Sequence, residues 1–381
     1  MKKAPINQYI SILLITVILF SLLSIYASSQ TRREASDVSA RAATLYEPET
    51  GQFLYKKNSD TPLPMASTTK IMTALVALDS VGLAEVVKIH DDAIGVEGSS
   101  AYLKHGDEAT MEELLYALLL RSANDAAAAI AYHVSGSIEE FARLMNKKAR
   151  EMGLTKTNFT NPHGLDDKDH YTTAEELAII ASKALDNAIF REIVSTYKKT
   201  FSYGERQSTY INHNKLLNIY DGCIGVKTGF TKKSGRCLVG AAEKDGLTFI
   251  TVTLDAPNDW SDHEKLLDIG YSTLEKITFA SPFDMTYSIP VVGGESETVT
   301  VTNKDDLSVI INRGEHEIAE HIKLQKFVTA PIKSGDVLGE VYYTVDGEYA
   351  GTIKLMAEAS VDSKENYGFL EKIKDILKGK G

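Results

Sequence analysis

The chain has 381 residues, of which 43% are hydrophobic and 24% charged, enough for one large domain or two ordinary domains with a sizeable core. Its net charge of -11 at pH 7 argues against a nucleic-acid-binding protein, which would present a basic face. Two cysteines are too few for a framework of disulfides.

The first 29 residues have the layout of an export signal. A basic start, Met1 to Lys3, precedes an apolar run over residues 10–26, and the small residues of the stretch ASSQ follow. This order is typical of a secretory signal peptide. The alternative is an uncleaved N-terminal anchor, since the run approaches the roughly 20 residues of a membrane span. Both interpretations place the remainder of the chain outside the cytoplasmic membrane.

A polar linker over residues 30–40 leads into a predicted first domain, 41–278. It opens with a hairpin formed by ARAATLYEP and GQFLYKKN. Helical patterns follow at 67–79, 111–132, 138–152, 173–187 and 261–275, and the strands GCIGVKTGF, RCLVGAAEK and LTFITVTLD lie before the last of them. Strands on both sides of the helices predict a mixed sheet covered by helices.

The texture changes after residue 278. Short alternating segments such as ETVTVT and VLGEVYYTVDG predict a second, all-β domain over 279–361. The tail, 362–381, reads as an amphipathic helix, because five apolar residues fall within about a 120° arc of a helical wheel. These are Phe369, Leu370, Ile373, Ile376 and Leu377. Such a stripe fits a membrane surface, or alternatively docking on the protein itself.

The first chemical signal is Ser67-Thr-Thr-Lys70, in the first turn of an otherwise apolar helix. Positions three apart are neighbours on a helix, so the Lys70 amine can reach the Ser67 hydroxyl. A serine hydroxyl needs a base to become a good nucleophile, and burial lowers a lysine pKa enough to make it one. The helix N-terminus also favours negative charge developing near Ser67.

Two further motifs strengthen this interpretation. Ser122-Ala-Asn124 follows the apolar run LLYALLL, where we expect a helix break, and Asn124 could alternatively cap the next helix. Lys227-Thr228-Gly229 lies on a predicted strand, where the lysine could hold an anionic substrate group and the glycine permits close backbone approach. S-x-x-K, S-x-N and K-T-G in this order are typical of penicillin-binding proteins and class A β-lactamases.

Other motif-like stretches predict no chemistry. Ser195 to Lys198 repeats the S-x-x-K spacing in a polar segment at a predicted helix end, so we interpret it as surface. The stretch HEIAEH places its histidines one residue too far apart for a helical zinc motif. No nucleotide-binding motif is present, and we expect no metal and no cofactor. If Phe230 faces Arg236, the two cysteines lie near 20 Å apart along the strands, which predicts free thiols.

These motifs behind an export signal resemble those of the low-molecular-mass penicillin-binding proteins, above all the serine-type D-alanyl-D-alanine carboxypeptidases. The resemblance includes TNPHGLDDKDHYTTAEELA and, in the second domain, IKSGDVLGEVYYTVDGEYAGTIKLMA. It implies an α+β fold, a β-lactamase/transpeptidase-like peptidase domain with an antiparallel sheet flanked by helices, followed by a small β-sandwich. The tail resembles the family's amphipathic membrane anchor.

The resemblance also implies catalytic roles. Ser67 would be the acylated nucleophile, Lys70 its general base, and Ser122 a proton relay toward the leaving group. The backbone N–H groups of Ser67 and Phe230 would form the oxyanion hole, which is often worth several kcal/mol.

Substrate-binding roles follow in the same way. Asn124 would hydrogen-bond the substrate backbone, and Lys227 and Thr228 would bind the terminal carboxylate, with Gly229 completing the motif. Many members carry a further arginine before the helix in PNDWSDHEKLL, and this segment has none. The resemblance therefore implies carboxylate recognition by Lys227 and Thr228 and assigns no further residue to it.

The implied activity is removal of the terminal D-alanine from peptidoglycan stem pentapeptides in an exported, cell-wall or membrane-associated protein. β-Lactam antibiotics would be covalent inhibitors, and the membrane surface would be contacted through the tail helix or the N-terminal segment. The alternatives are an endopeptidase or transpeptidase, a β-lactamase, and a non-catalytic cell-wall-binding protein. The E-x-x-L-N segment of class A β-lactamases is not found, and EELAII at 175–180 does not supply it. No motif residue is missing, which argues against the non-catalytic alternative.

Overall fold

The structure, a computed structural model, describes residues 38–203 and 206–364. The described residues divide into two compact units between Tyr271 and Ser272. The predicted signal segment at 1–29 and nearly all of the predicted tail helix lie outside the described residues. None of the helices in the described part of the chain is long and apolar enough to cross a membrane.

The helices of the first unit are short, and in chain order most of them lie after its first two strands and before its last three. They are α1 (Lys70–Ser80), α2 (Met111–Leu120), α3 (Asn124–Ser135), α4 (Ile138–Glu151), α5 (Ala174–Leu185), α6 (Ala188–Ser195), α7 (Leu216–Ile219) and α8 (Asp259–Thr273). The strands of this unit are β1 (Ala42–Glu47), β2 (Gln52–Lys57), β3 (Val86–Lys88), β4 (Glu108–Thr110), β5 (Lys198–Tyr203), β6 (Arg206–Ile211), β7 (Cys223–Thr231), β8 (Gly235–Lys244) and β9 (Leu247–Leu254).

The main sheet of the first unit has the order β2-β1-β9-β8-β7, and every neighbouring pair in it is antiparallel. The mixed sheet predicted from the order of strands and helices is therefore wrong, because short turns join β1 to β2 and β7 to β8 to β9. The antiparallel sheet that the family resemblance implies is confirmed. Strand β7 lies at the edge of the sheet, with one side open.

The apolar helices pack as the sequence predicts. Residues 70–77 of α1 are all buried, so this helix is surrounded by the core on every side. The helical pattern over 111–132 is divided into α2 and α3 at the helix break expected near Ser122, which has a φ of +62°, in the left-handed region. A residue in that conformation cannot continue a right-handed helix, so α3 leaves the break in a new direction.

The sequence predicts a helix end at Ser195, which is the end of α6, but it gives no range for this helix and does not predict the β5–β6 hairpin. Helix α6 buries Phe190, Ile193 and Val194, and its short length hides the helical period. The hairpin pairs Thr200 with Thr209 across its two strands, and few of its residues are apolar. Neither element therefore carries a strong sequence signal.

The second unit is all-β, as predicted. Its strands are β10 (Leu274–Ala280), β11 (Thr286–Val292), β12 (Thr298–Asn303), β13 (Leu307–Asn312), β14 (Ile318–Leu324), β15 (Val328–Thr329), β16 (Val337–Val345) and β17 (Glu348–Ala357). A six-stranded sheet, β14-β16-β17-β12-β11-β15, packs with the two-stranded sheet β10-β13 around one apolar core. Phe279 stacks on Tyr343 with ring centres 4.6 Å apart and joins the two layers.

Two details of the second unit refine the sequence analysis. Strand β10 begins before residue 279, where the second domain was predicted to start, because β10 pairs with β13. The stretch HEIAEH leads into strand β14 rather than a helix, and His321 stacks on Tyr342 with ring centres 4.5 Å apart. Most of this stretch is therefore part of the β-sheet of the second unit and does not form the helix that a zinc motif of this kind requires.

Candidate active site

Ser67 lies in a tight 3-10 turn, Ala66–Thr69, directly before α1. The preceding residue, Ala66, has a φ of +48°, a left-handed conformation that is rarely adopted outside glycine and is concentrated at functional sites. The hydroxyls of Thr68 and Thr69 donate to the carbonyls of Met65 and Ala66 at 2.6 and 2.7 Å. These bonds hold the turn in place and leave Ser67 half-buried at the edge of a groove.

The amine of Lys70 is fully buried beside Ser67. Its Nζ lies 2.9 Å from the Ser67 Oγ, 2.6 Å from the Asn124 Oδ1 and 2.6 Å from the backbone carbonyl oxygen of His163. The residue has 0% exposed surface. Lys70 is therefore in direct contact with two other predicted site residues, Ser67 and Asn124.

Burial lowers the pKa of Lys70 well below its ordinary value, and the nearby Lys227 lowers it further, while Asp125 opposes both effects. In its deprotonated form this amine has two N–H donors and one lone pair. The oxygens of Asn124 and His163 can only accept, so the two N–H bonds point at them. The lone pair is then directed at the Ser67 hydroxyl, which is the arrangement a general base needs.

Ser122 and Asn124 lie at the break between α2 and α3. Ser122 is 5% exposed and lines the same groove as Ser67. The Asn124 side chain accepts from Lys70 and donates to the backbone carbonyl of Glu97. Ala123, rather than Asn124, is the N-cap residue of α3, so the alternative prediction that Asn124 caps this helix is wrong.

The K-T-G residues lie on the edge strand β7, where Lys227 and Gly229 are buried and Thr228 is partly exposed. Lys227 is 1% exposed, and its Nζ donates to the Thr228 carbonyl oxygen at 2.9 Å. Burial lowers the pKa of Lys227 to about 7. A Cβ on Gly229 would lie 3.0 Å from the Ser67 backbone nitrogen and 3.1 Å from the Thr68 nitrogen, so only glycine lets β7 approach the Ser67 turn this closely.

The groove runs between β7 and the loops before α1 and α3. Its lining consists of Ser67, Ser99, Ser122, His213, Lys215, Thr228, Gly229, Phe230, Arg236, Asp259 and Trp260. Five of the eight predicted site residues therefore face one open cleft. The other three, Lys70, Asn124 and Lys227, lie beneath its floor.

The loop between α4 and α5 supplies a functional group that the sequence analysis missed. The His163 carbonyl oxygen accepts a hydrogen bond from Lys70. Gly164 packs against the Ser67 turn, where no other residue would fit, because a Cβ at this position would lie 1.9 Å from the Ala66 carbonyl oxygen. His170 contacts the Thr69 hydroxyl at 2.7 Å, and burial lowers its pKa to about 4. A backbone carbonyl has no residue-type signal, so only the fold could show this contact.

Arg236 is a second group that the sequence analysis missed. It faces Phe230 across the β7–β8 pair, as the predicted register requires, and lines the groove. The prediction considered this residue only as the partner of Phe230. Arg236 directly follows the turn TKKSG, so the hairpin by itself predicts that this cation lies beside the K-T-G strand.

The structure also shows the second S-x-x-K copy and the two cysteines, for which the sequence predicts no chemistry. Ser195 and Lys198 are both exposed, at the end of α6 and the start of β5, which confirms the surface interpretation. Cys223 and Cys237 are free thiols, as the strand register predicts. Within residues 38–203 and 206–364, no three His, Cys, Asp or Glu side chains are grouped so that they could hold a metal ion.

Comparison with known proteins identifies the family to which this site belongs. The family described as D-alanyl-D-alanine carboxypeptidase, Peptidase S11, matches residues 29–258. The chain belongs to this family. The family described as penicillin-binding protein 5, C-terminal domain, matches residues 276–363.

Curated relatives match this chain over nearly its whole length. D-alanyl-D-alanine carboxypeptidase DacF of Bacillus subtilis is 31% identical over 97% of this chain and 98% of its own length. DacC of Escherichia coli is 32% identical over 92% of this chain and 90% of its own. The crystal structure of penicillin binding protein 5 from Haemophilus influenzae has a TM-score of 0.63 and 27% identity, over 86% of this chain and 98% of that one.

Proposed function

We propose that this protein is a serine D-alanyl-D-alanine carboxypeptidase that removes the terminal D-alanine from peptidoglycan stem pentapeptides through an acyl-enzyme on Ser67. The observation that carries the proposal is the amine of Lys70, which is buried, 2.9 Å from the Ser67 Oγ, and bonded to two carbonyl oxygens. The names of its relatives, D-alanyl-D-alanine carboxypeptidases, support the substrate class.

The first step is attack on the peptide bond before the last D-alanine. Lys70 takes the proton of the Ser67 hydroxyl, and the Oγ forms a bond to the carbonyl carbon. The negative charge that develops on the carbonyl oxygen is stabilised by the backbone N–H groups of Ser67 and Phe230. Gly229 supports this arrangement, because it allows β7 to lie against the Ser67 turn.

The second step expels D-alanine. The carbon–nitrogen bond breaks, and the leaving amine receives the proton held by Lys70 through Ser122, which lies in the groove at the break before α3. Water then attacks the acyl carbon and gives a proton to Lys70. The bond from this carbon to the Ser67 Oγ breaks, and the Oγ takes the proton from Lys70, so that Ser67 is regenerated. A β-lactam ring opened by Ser67 would form the analogous ester, which makes these antibiotics covalent inhibitors.

The substrate backbone binds as an added strand along the edge of the sheet. Strand β7 has no neighbour on its outer side among the described strands, so its backbone groups face the groove. Thr228 binds the terminal carboxylate from this strand. Asn124 acts mainly on Lys70, since both ends of its amide are bonded within the protein, to Lys70 and to Glu97.

The site offers no support for a class A β-lactamase mechanism. That mechanism uses a second carboxylate to activate the deacylating water. Glu175 accepts from Ser59 at 2.6 Å, Glu176 accepts from the backbone of Thr155 at 2.8 Å, and neither lines the groove. Asp259 does line it, but its carboxylate pairs with Arg236 at 2.9 Å. Hydrolysis of the acyl-enzyme formed with a β-lactam is therefore slow.

We propose that the protein acts outside the cytoplasmic membrane, where its substrate lies, and that the tail, which its sequence predicts to be an amphipathic helix, anchors it to the membrane surface. The support is the export signal and the apolar stripe of the tail in the sequence. Deleting residues 366–381 from the signal-cleaved protein should move it from the membrane to the soluble fraction. Unchanged partitioning would contradict the anchor.

The experiment that tests the activity is acylation by labelled penicillin, followed by peptide mapping and by assay of D-alanine released from a stem pentapeptide. We expect one adduct, on Ser67, and loss of both signals in Ser67→Ala. The matched control is Ser195→Ala, which removes the serine of the exposed S-x-x-K copy. Folded protein without an adduct, or an equal adduct on Ser67→Ala, would refute the proposal. Parallel assays on cross-linked muropeptides measure any endopeptidase activity.

A further inference from the structure

Arg236 is a charged groove residue that the mechanism above does not use. It lies on β8 directly opposite Phe230 of β7, and it lines the groove together with Ser67 and Thr228. Residues paired across antiparallel strands project to the same face of the sheet. Arg236 therefore extends the face of the K-T-G strand with a cation at the surface of the cleft.

Two residues of α8 hold this arginine in position. Its Nη2 pairs with the Asp259 Oδ2 at 2.9 Å, and its guanidinium carbon lies 5.7 Å from the centre of the Trp260 ring. Asp259 is 3% exposed, so its carboxylate cannot move far. A guanidinium has several N–H donors in a planar fork, so one nitrogen can be fixed by Asp259 while others bind a second anion.

Lys227 is less suited to bind an anion in the cleft. It is 1% exposed, does not line the groove, and its amine is bonded to the Thr228 carbonyl oxygen. Burial lowers its pKa to about 7, so it is only partly charged near neutral pH, whereas an arginine stays charged. Arg236 is therefore better placed than Lys227 to bind an anion beside Thr228, and Lys215 is the other exposed cation that lines the groove.

We propose that Arg236 binds the free C-terminal carboxylate of the peptide substrate, and that Asp259 and Trp260 are positioning residues for its guanidinium. This inference rests on the proposed function and names the group by which the site selects its substrates. Residues 257–267 contain no arginine, so the cation reaches the cleft from the neighbouring strand instead. Arg236 and Thr228 then bind the carboxylate from adjacent strands.

The test compares two peptides that differ only at the C-terminus. Diacetyl-L-Lys-D-Ala-D-Ala has a free carboxylate, and the same peptide ending in D-alaninamide does not. For Arg236→Gln we expect kcat/KM to fall about 10- to 100-fold for the carboxylate peptide, mainly through KM, and little for the amide. Benzylpenicillin and its methyl ester provide a second pair, read as acylation rates, should the amide be cleaved too slowly to measure.

Arg191→Gln is the matched control, because Arg191 pairs with Glu243 on the same strand β8, away from the groove. We expect it to leave the kinetics of both peptides unchanged. Arg236→Lys keeps the charge without the fork and should lose less than Arg236→Gln. Asp259→Asn keeps the arginine but removes the carboxylate that positions its guanidinium, and it should give a smaller loss, again selective for the carboxylate peptide.

Three outcomes would overturn the inference. One is an active wild-type enzyme whose Arg236→Gln variant cleaves the carboxylate peptide normally. Another is an equal loss on the carboxylate and amide peptides, which indicates a structural role. The last is a selective loss in Lys215→Gln instead, which would assign the carboxylate to the other exposed cation of the groove. If the proposed function itself fails, the wild type releases no D-alanine and forms no penicillin adduct.

Discussion

Ser67 to Lys70 and Ser195 to Lys198 have the same S-x-x-K spacing but entirely different surroundings. In the first, a 3-10 turn continues into α1, so that the lysine amine lies 2.9 Å from the serine hydroxyl, with no exposed surface. In the second, α6 ends at Ser195 and β5 begins at Lys198, and both residues are exposed. The helical geometry that brings positions three apart together is absent there.

The difference shows that spacing provides reach, whereas burial provides reactivity. An exposed lysine is solvated and stays protonated near neutral pH, so it cannot accept a serine proton. The interior around α1 removes water from Lys70 and supplies two carbonyl oxygens as hydrogen-bond acceptors. The same two residue types are thus a nucleophile and its base at one place, and surface residues at the other.

The largest expected effect comes from removing the two lysines in turn. Lys70→Ala removes the base, and we expect the rate of acylation by penicillin to fall about 10²- to 10⁴-fold. Lys198→Ala should leave that rate unchanged, because this lysine is exposed and outside the groove. Stopped-flow or quenched acylation kinetics measure both. Equal rates for Lys70→Ala and wild type would remove the distinction between the two copies.

The second prediction concerns how the buried amine of Lys227 changes the free energy of unfolding with pH. Burial lowers the pKa of Lys227 from 10.5 to about 7, so between these values the unfolded chain binds the proton more strongly. This group therefore makes folding more favourable as pH rises from about 7 toward 10.5, by up to about 1.4 kcal/mol per pH unit, and adds no slope below 7.

Urea unfolding between pH 7 and 9 measures that slope. Lys227→Met should be more stable than wild type at pH 7 and should show a flatter dependence on pH. The control is Lys198→Met, whose lysine is exposed, and its slope should match that of wild type. Parallel curves for wild type and Lys227→Met would mean that the folded protein does not lower the lysine pKa.

The third prediction concerns a contact that only the first S-x-x-K copy makes. In Gly229→Ala the new Cβ would lie 3.0 Å from the Ser67 nitrogen, so β7 and the turn must separate. We expect acylation to slow about 10- to 100-fold through misplacement of the oxyanion donors, with the fold retained. Gly82→Ala is the control, since a Cβ there meets nothing within 4 Å. Normal acylation by Gly229→Ala would show that the close approach is not needed.

The smallest effect is expected at the exposed serine. The Ser195 hydroxyl donates to the Glu192 carbonyl at 3.1 Å at the end of α6, in contact with solvent. Ser195→Ala should change the free energy of unfolding by no more than about 0.5 kcal/mol and should leave D-alanine release unchanged. A larger change in either measurement would mean that the second copy has a role of its own.

Several features of the site could be predicted because they depend on local sequence. Helix α1 follows from its apolar residues, and the β7–β8 register follows from the turn TKKSG between two strands. That register placed the two cysteines apart, as free thiols. The motif residues Ser67, Ser122 and Thr228 face one groove, because their spacing fits a helix turn, a helix break and an edge strand.

Other features required the whole fold. The sequence predicts a helix break near Ser122, but the left-handed conformation of this residue, with a φ of +62°, is visible only in the structure. The range of α6 and the β5–β6 hairpin are likewise not predicted, since short or polar elements are stabilised by tertiary packing rather than by a strong periodic signal.

The sequence by itself determined which residue types meet at Ser67 and in what order along the chain, because helix and strand periodicities act over a few residues. Only the tertiary structure decided the chemistry around them. The carbonyl that holds Lys70 comes from His163, 93 positions away in the chain, and Arg236 reaches the cleft from a neighbouring strand. Desolvation is likewise a property of everything packed around a group, so the lowered pKa values of Lys70 and Lys227 arise only in the folded protein.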